Sequence, residues 1–150
     1  MDTRVRLETK TKQPGKELGL RPVIISVGSN IDPQKNIRLS HEVLDNETRL
    51  LAVADIIKTT PIGYTQQPDF LNTAYLIETN LEYDDFNAFL KSVEDRLGRE
   101  RGAIKSGPRT IDLDIIVWGR NIVTQDYFNY EYVSTPVNQI LTARQISVYN

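Results

Sequence analysis

The segment that most constrains the fold is "GPRTIDLDIIVWG", residues 107–119, in which two aspartates alternate with apolar residues. This period of two predicts a half-buried β-strand, although Asp is depleted in strands. Residues two apart on a strand share a face and lie roughly 6.6 Å from each other. Asp112 and Asp114 are therefore expected side by side, and such a pair of like charges requires a cation nearby.

The order of the other elements predicts the architecture. "PVIISVGSN" is typical of a buried strand, and helical spacing follows from Pro33 to about Glu47. "LLAVADIIKT" and "FLNTAYLIET" predict two more strands, and a helix is expected from Asp84 to about Leu97, before the aspartate strand. The order βαββαβ indicates an α+β fold, a ferredoxin-like sandwich with an antiparallel sheet and two helices on one face. The other face would be free for a site, and the chain from Asn121 onward is ambiguous.

Bulk properties narrow the class of protein. A chain of 150 residues fits one domain, and a net charge of −2 disfavours a broad nucleic-acid surface. The absence of cysteine leaves the compartment open, but no apolar run is long enough for a bilayer and the N-terminus lacks an apolar signal core. We therefore expect a cytoplasmic protein without membrane contact, and we expect it to act as a monomer. Residues 1–22 are polar and carry a charge of +3, so we interpret them as an N-terminal extension, either a mobile tail or an added edge strand, before a single domain at 23–150.

A basic segment leads directly into the aspartate pair. Residues 98–110 carry Arg99, Arg101, Lys105 and Arg109. Mg²⁺ binds proteins characteristically through one or two carboxylates together with phosphates and water. Acids for the metal beside cations for phosphate therefore predict metal-assisted phosphoryl transfer, although two solvated acids on an open sheet face are the alternative. Without nucleotide we expect the pair to be partly unsatisfied.

The remaining candidates are weaker. Phe70 and Asn72 share a face of the third strand, where they could stack on a flat heterocycle and bond its edge; a core role for Phe70 is the alternative. His41 lies on or beside the apolar helix face, so we assign it a structural role. "GSN" at 28–30 is explained by a turn in which Ser or Asn caps the next helix, and it lacks the spacing of a phosphate-binding P-loop.

Four stretches together resemble a known family, the 6-hydroxymethyl-7,8-dihydropterin pyrophosphokinases of folate biosynthesis. They are "VGSN", "TTPIGYTQQPDFLN", "EDRLGRERG" and "GPRTIDLDIIVWG", in the family's order and spacing. The resemblance implies Mg²⁺-dependent transfer of diphosphate from ATP to the hydroxymethyl group of the pterin, which releases AMP.

The resemblance also implies roles for particular residues. Asp112 and Asp114 would hold two Mg²⁺ ions, and the segment 99–109 would close over ATP as a lid. The catalytic residues would be Arg99, Arg109, Asp112 and Asp114. ATP would be bound by Glu94, Arg99, Arg101, Lys105, Arg109 and Ile115. The pterin would be bound by Thr59, Pro61, Ile62, Phe70 and Asn72.

The chain departs from the family pattern both before and after the aspartate strand. Lys105 and Ser106 stand where the family often has arginine and tryptophan, and Glu131, Tyr132 and Val133 replace a Pro-His-Tyr element. Arg144, Phe128 or Tyr149 are candidates for a missing arginine and a second stacking aromatic. Two alternatives to an active pyrophosphokinase therefore remain: a catalytically weak homologue that binds nucleotide or pterin, and a palm-like nucleotidyl transferase. A regulatory ferredoxin-like module without catalysis is disfavoured by the basic segment.

Overall fold

A computed structural model describes residues 19–99 and 107–149. Along the chain the elements are β1 (Arg21–Ser29), α1 (Pro33–Glu47), β2 (Arg49–Val53), β3 (Ile57–Thr59), β4 (Phe70–Thr79), α2 (Tyr83–Arg96), β5 (Asp112–Trp118), β6 (Asn121–Ile122), α3 (Asp126–Asn129) and α4 (Glu131–Ala143). The predicted βαββαβ order is confirmed. Residues 1–18, which contain most of the predicted extension and its alternative edge strand, lie outside the described part, and Arg21 and Pro22 already belong to β1.

The sheet is antiparallel, with the strands in the order β2-β4-β1-β5-β6, and β3 also pairs with β4. The centre of the sheet is β1, which is bonded along its length to β4 and to β5. The predicted single strand "LLAVADIIKT" is two strands, β2 and β3, which are separated by residues 54–56. There the backbone N–H of Asp55 donates to Gln139 of α4 at 2.7 Å.

One face of the sheet is covered by α1 and α2, as predicted. Alternate residues of the central strands, among them Val23, Ile25 and Leu113, pack with Leu44 of α1 and Leu90 of α2 in one core. His41 lies half-buried on α1, and its ring meets the ring of the buried Tyr75 edge-on at 6.0 Å. This contact agrees with the structural role predicted for His41.

The other face is not free, which corrects the expectation from the sequence. Helix α4 packs Val133, Val137 and Ile140 against Ile24 and Leu76 in a second core. Because α4 covers only part of this face, the ends of β1, β4 and β5 are left as the floor of a cleft. Within the described residues no helix is long and apolar enough to cross a membrane.

Candidate active site

The aspartate pair lies on the cleft side of β5, as the alternation predicts. Leu113 points into the core beneath α1 and α2, and Asp112 and Asp114 point to the opposite face, beside Gly28 and Ser26 of β1. Their side chains are 34% and 45% exposed, respectively. Two partly solvated carboxylates on one face can accept a divalent ion.

The open edge of β5 is closed by side chains of α2. Since β6 pairs only with Val117 and Trp118, no strand among the described residues lies on the outer side of the backbone at Leu113. The N–H of Leu113 donates to Glu94 Oε2 at 2.7 Å, and its carbonyl accepts from Lys91 Nζ at 2.8 Å. These bonds satisfy groups that an edge strand would otherwise expose, and they attach α2 to the strand between the two aspartates.

Each aspartate is paired with its own cation. A guanidinium nitrogen of Arg99 lies 3.0 Å from Asp112 Oδ1, and Lys91 Nζ lies 3.3 Å from Asp114 Oδ1. Both cations also bind the fully buried Glu94, each at 3.1 Å. Helix α2 and the residues after it thus supply internal counter-charges, but only two cations face three carboxylates. The expectation that the pair is partly unsatisfied without nucleotide therefore stays a prediction.

The end of α2 directs Arg99 toward the pair. Gly98 has a φ of +90°, in the left-handed region that favours glycine. The N–H of Gly98 donates to the carbonyl of Asp95 and that of Arg99 to the carbonyl of Glu94, both at 3.0 Å. This is a Schellman motif, which ends the helix and reverses the chain. The sequence signal for it is the glycine directly after the last helical turn.

The electrostatics of the pair favour the uptake of positive charge. Burial, together with the charge of Asp112, raises the pKa of Asp114 to about 7, although Lys91 acts in the opposite direction. Burial also lowers the pKa of Lys91, but the charges of Asp114 and Glu94 more than offset it, so that this pKa is raised overall. Lys91 therefore remains an ammonium beside a carboxylate that accepts protons readily.

A cavity of about 270 Å³ extends from the aspartate pair across the sheet. The predicted residues that line it are Thr59, Ile62, Phe70, Asn72, Arg109, Asp112 and Asp114. Pro61 lies between two lining residues, Thr60 and Ile62. The structure thus brings the predicted metal pair and the predicted heterocycle platform into one cavity.

The platform side of the cavity is held by a short chain of contacts. Asn72 Nδ2 donates to Thr59 Oγ1 at 2.6 Å. Gly28 lies on β1 directly opposite Asn72, and a Cβ atom at Gly28 would come within 2.9 Å of Asn72 Oδ1. The absence of a side chain at Gly28 is therefore a condition for the position of Asn72.

The capping role predicted for Ser29 or Asn30 is wrong. The residue before α1 is Asp32, and it makes no side-chain cap. Instead, Ser29 Oγ donates to the carbonyl of Thr110 at 2.6 Å. Asn30 donates to Gln67 Oε1 and to the carbonyl of Pro68, and it accepts the backbone N–H of Arg109. "GSN" therefore joins the end of β1 to the two segments that border the cavity.

The other predicted residues lie elsewhere or outside the described chain. Ile115 belongs to the core beneath α1 and α2, although it directly follows Asp114. Arg101 and Lys105 lie in 100–106, outside the described residues. The three candidates for the family's arginine and second stacking aromatic do not line the cavity. Phe128 is exposed on α3, Arg144 donates to the carbonyl of Leu51, and Tyr149 lies beside Arg120.

Sequence reasoning missed several residues that border the site, among them Lys91, Ser26, Asp126 and Tyr132. A signal for Lys91 was present, because Lys91 and Glu94 are three residues apart on one helix and such pairs face each other. Tyr132 was noted only as a departure from the family pattern. Its position in the cavity depends on the packing of α4, which the sequence did not predict.

The donor set fits a divalent ion that is held together with phosphate. Among the described residues no group of three or more His, Cys, Asp or Glu side chains comes together as a metal site. Two carboxylates facing a polar cavity are nevertheless the usual protein contribution to bound Mg²⁺, which keeps water and phosphate as its other ligands. Fold and site together define an α+β protein of ferredoxin-like topology with an acidic pair at the floor of a cleft.

Comparison with known proteins identifies the family. Residues 24–142 match the model of the family described as 7,8-dihydro-6-hydroxymethylpterin-pyrophosphokinase (HPPK), and the chain belongs to this family. Three bacterial relatives are named 2-amino-4-hydroxy-6-hydroxymethyldihydropteridine pyrophosphokinase.

The relative from Bacillus subtilis is 37% identical over 67% of this chain and 62% of its own length. The relative from Pseudomonas aeruginosa is 34% identical over 69% of this chain and 65% of its own length. The relative from Helicobacter pylori is 32% identical over 69% of this chain and 66% of its own length. The match thus spans slightly less than two thirds of each relative.

Proposed function

We propose that this protein transfers diphosphate from ATP to the hydroxymethyl group of 6-hydroxymethyl-7,8-dihydropterin, with release of AMP, in folate biosynthesis. The observation that carries the proposal is the shared cavity. Asp112 and Asp114 lie at one end, and Phe70 and Asn72 lie on the same face at the other. A flat heterocycle on the platform would place its substituent toward the metal pair.

The carboxylates of Asp112 and Asp114 would hold two Mg²⁺ ions. The ions, when bound, would neutralise the phosphate oxygens during transfer. Arg109 lines the cavity, and Arg99 lies beside Asp112, so both would contact phosphate. Arg101 and Lys105 would extend this cationic surface, and the segment 99–109 would close over ATP.

Two further residues were assigned to ATP by resemblance. Glu94 is buried, and its carboxylate binds Lys91 and Arg99, so it would act by positioning these cations. The side chain of Ile115 is in the core, so any contact with ATP would be made by its backbone.

The pterin would be held mainly by Phe70 and Asn72. The ring of Phe70 would stack on the heterocycle, and Asn72, fixed by its bond to Thr59, would bond the ring edge. Pro61 and Ile62 would close the side of the pocket. We further propose that the protein acts in the cytoplasm as a monomer, without nucleic-acid or membrane partners.

A single assay tests this function. Protein is incubated with ATP, Mg²⁺ and the reduced pterin, and nucleotides are separated by chromatography. We expect AMP to form with the pterin and not in a control without it. Absence of pterin-dependent AMP would refute the proposal, and release of pyrophosphate instead of AMP would indicate a nucleotidyl transferase.

A second candidate function is binding of nucleotide or pterin with poor turnover. It is favoured by one observation: Phe128, Arg144 and Tyr149, the candidates for the arginine and the second stacking aromatic of the family pattern, do not line the cavity. Calorimetry that shows micromolar binding of both ligands, with no AMP formed in the assay, would support this candidate over the first.

A further inference from the structure

Lys91, like Arg99, is a cation with three acceptors beside the acid pair. Its ammonium group contacts three acceptors: the carbonyl of Leu113 at 2.8 Å, Glu94 Oε2 at 3.1 Å and Asp114 Oδ1 at 3.3 Å. The side chain is 34% exposed, so the ammonium still borders the cleft. Asp114 thus already holds a positive charge at the position where a metal would approach.

A divalent ion on the pair must therefore compete with this ammonium. Coulomb repulsion between cations a few ångströms apart at a protein surface is enough to change an affinity by about tenfold or more. Arg99 opposes the ion in the same way from the side of Asp112. Of the two, Lys91 is better able to move, because its stem is flexible and its side chain is 34% exposed, whereas Arg99 follows the Schellman motif and its side chain is 11% exposed.

A nucleotide would change this balance. Phosphate oxygens would offer the ammonium of Lys91 a new acceptor and would add negative charge for the metal. Asp114 would then be released to the metal. Nucleotide and metal would therefore bind cooperatively, through an exchange of partners at one lysine.

We propose that Lys91 is a positioning residue that occupies Asp114 as an internal counter-cation and makes tight binding of a divalent ion depend on nucleotide. The inference rests on the proposed metal role of Asp112 and Asp114. It extends that role by assigning to a residue of α2 the coupling between the two ligands.

The test measures metal binding without turnover. Mn²⁺ is titrated into the full chain without nucleotide, and free Mn²⁺ is followed by electron paramagnetic resonance. Lys91→Gln removes the charge but keeps a donor for Leu113, and Lys91→Met keeps only the stem. We expect both to bind Mn²⁺ about tenfold more tightly than the wild type. Lys91→Arg, which keeps the charge, should bind Mn²⁺ as weakly as the wild type does.

Lys58→Gln is the matched control. The side chain of Lys58 is 72% exposed on β3, where it lies 4.0 Å from Asp69. Three strand spacings separate β3 from β5, roughly 14 Å and beyond the screening length at physiological salt. This variant should bind Mn²⁺ as the wild type does.

The same titration is repeated with a non-hydrolysable ATP analogue. In the wild type the analogue should tighten Mn²⁺ binding strongly, and in both neutral Lys91 variants this gain should be about tenfold smaller. Circular dichroism and thermal unfolding establish that each variant is folded. If one neutral variant does not fold, the other provides the measurement.

Equal or weaker Mn²⁺ binding in the folded neutral variants would overturn the inference. A different result would concern the proposed function: if Asp112→Asn and Asp114→Asn leave Mn²⁺ binding unchanged both with and without the analogue, the pair is not the metal site. The two failures are therefore distinguishable.

Discussion

The buried carboxylate of Glu94 accepts the backbone N–H of Leu113 at 2.7 Å, which joins α2 to β5 at the residue between the two aspartates. The same carboxylate binds Lys91 and Arg99, each of which binds one aspartate. The position of the acid pair is thus determined by one buried charge that itself does not line the cavity.

Replacement of Glu94 should be strongly destabilising. Glu94→Ala leaves the N–H of Leu113 without its acceptor and leaves two cations without their common partner. Loss of one member of a buried ionic group costs about 3–5 kcal/mol. Urea denaturation measures the change in the free energy of unfolding. Glu42→Ala is the control, because Glu42 forms an exposed ion pair with Arg38, and such pairs contribute at most about 1 kcal/mol. Equal losses in the two variants would contradict this view of Glu94.

The acid pair itself should be essential to activity. Asp112→Asn or Asp114→Asn keeps the size of the side chain and removes the charge that would hold Mg²⁺. We expect pterin-dependent AMP formation to fall by at least about a hundredfold, comparable to the loss of other electrostatic groups in active sites. Glu42→Gln, in the exposed ion pair on α1, should remain active. If either aspartate variant keeps wild-type turnover, the pair is not the metal site of the reaction.

The pKa of Asp114 predicts a specific dependence of stability on pH. Burial raises this pKa from 3.8 to about 7, so the folded protein holds the proton over a range in which the unfolded chain has lost it. The contribution of Asp114 to the free energy of unfolding is fully present below pH 3.8, the pKa in the unfolded chain, and it is lost as the pH rises to about 7. Relative to Asp114→Asn, the metal-free wild type should therefore lose stability between these two values. Denaturation curves at several pH values measure the difference, and a constant difference would show that the pKa is not raised.

The sequence predicted the parts of the site that depend on local pattern. A period of two placed Asp112 and Asp114 on one face, and it did the same for Phe70 and Asn72, because strand geometry alone determines these relationships. It could not place α4, whose packing decides how much of the sheet is open. Nor could it show that Lys91 neutralises Asp114, since this contact spans 23 residues and requires α2 to lie along the edge of β5.

The error over "GSN" has a similar origin. Ser and Asn before a helix are frequent caps, so the local interpretation was reasonable. In the folded chain, however, the carbonyl of Thr110 and the backbone N–H of Arg109 compete for these side chains, 81 and 79 residues away in sequence. Tertiary contacts therefore override a local preference at the border of the site.

Gly28 should be intolerant of even a methyl group. In Gly28→Ala the added Cβ would lie 2.9 Å from Asn72 Oδ1, and Asn72 is buried and bonded to Thr59. We expect a loss of about 1–3 kcal/mol in unfolding free energy, typical of overpacking, together with a raised KM for the pterin. The KM for ATP should change less, because the clash is on the platform side of the cavity. Gly119→Ala is the control, because Gly119 lies away from the cavity and its φ of +66° makes an alanine there strained. This variant should lose stability without a change in the KM for the pterin.

Tyr132 should bind substrate from the wall of the cavity formed by α4. Its ring lines the cavity and stacks on Tyr130, with centroids 5.2 Å apart. Burial, with the nearby Tyr130 and acidic side chains, raises its pKa to about 12, so the hydroxyl stays protonated and can donate a hydrogen bond at neutral pH. Tyr132→Phe removes only this donor, and Tyr132→Leu also removes the ring.

We expect KM for ATP or the pterin to rise about tenfold in Tyr132→Phe, as for loss of one hydrogen bond of about 1.4 kcal/mol, and further in Tyr132→Leu. The substrate whose KM rises identifies which ligand lies against α4. Phe128→Leu is the matched control, because Phe128 is exposed on α3 and does not line the cavity. Unchanged KM values in both Tyr132 variants would place the substrates on the β3–β4 side of the cavity alone. In that case α4 would contribute packing against the sheet and no contact with either ligand.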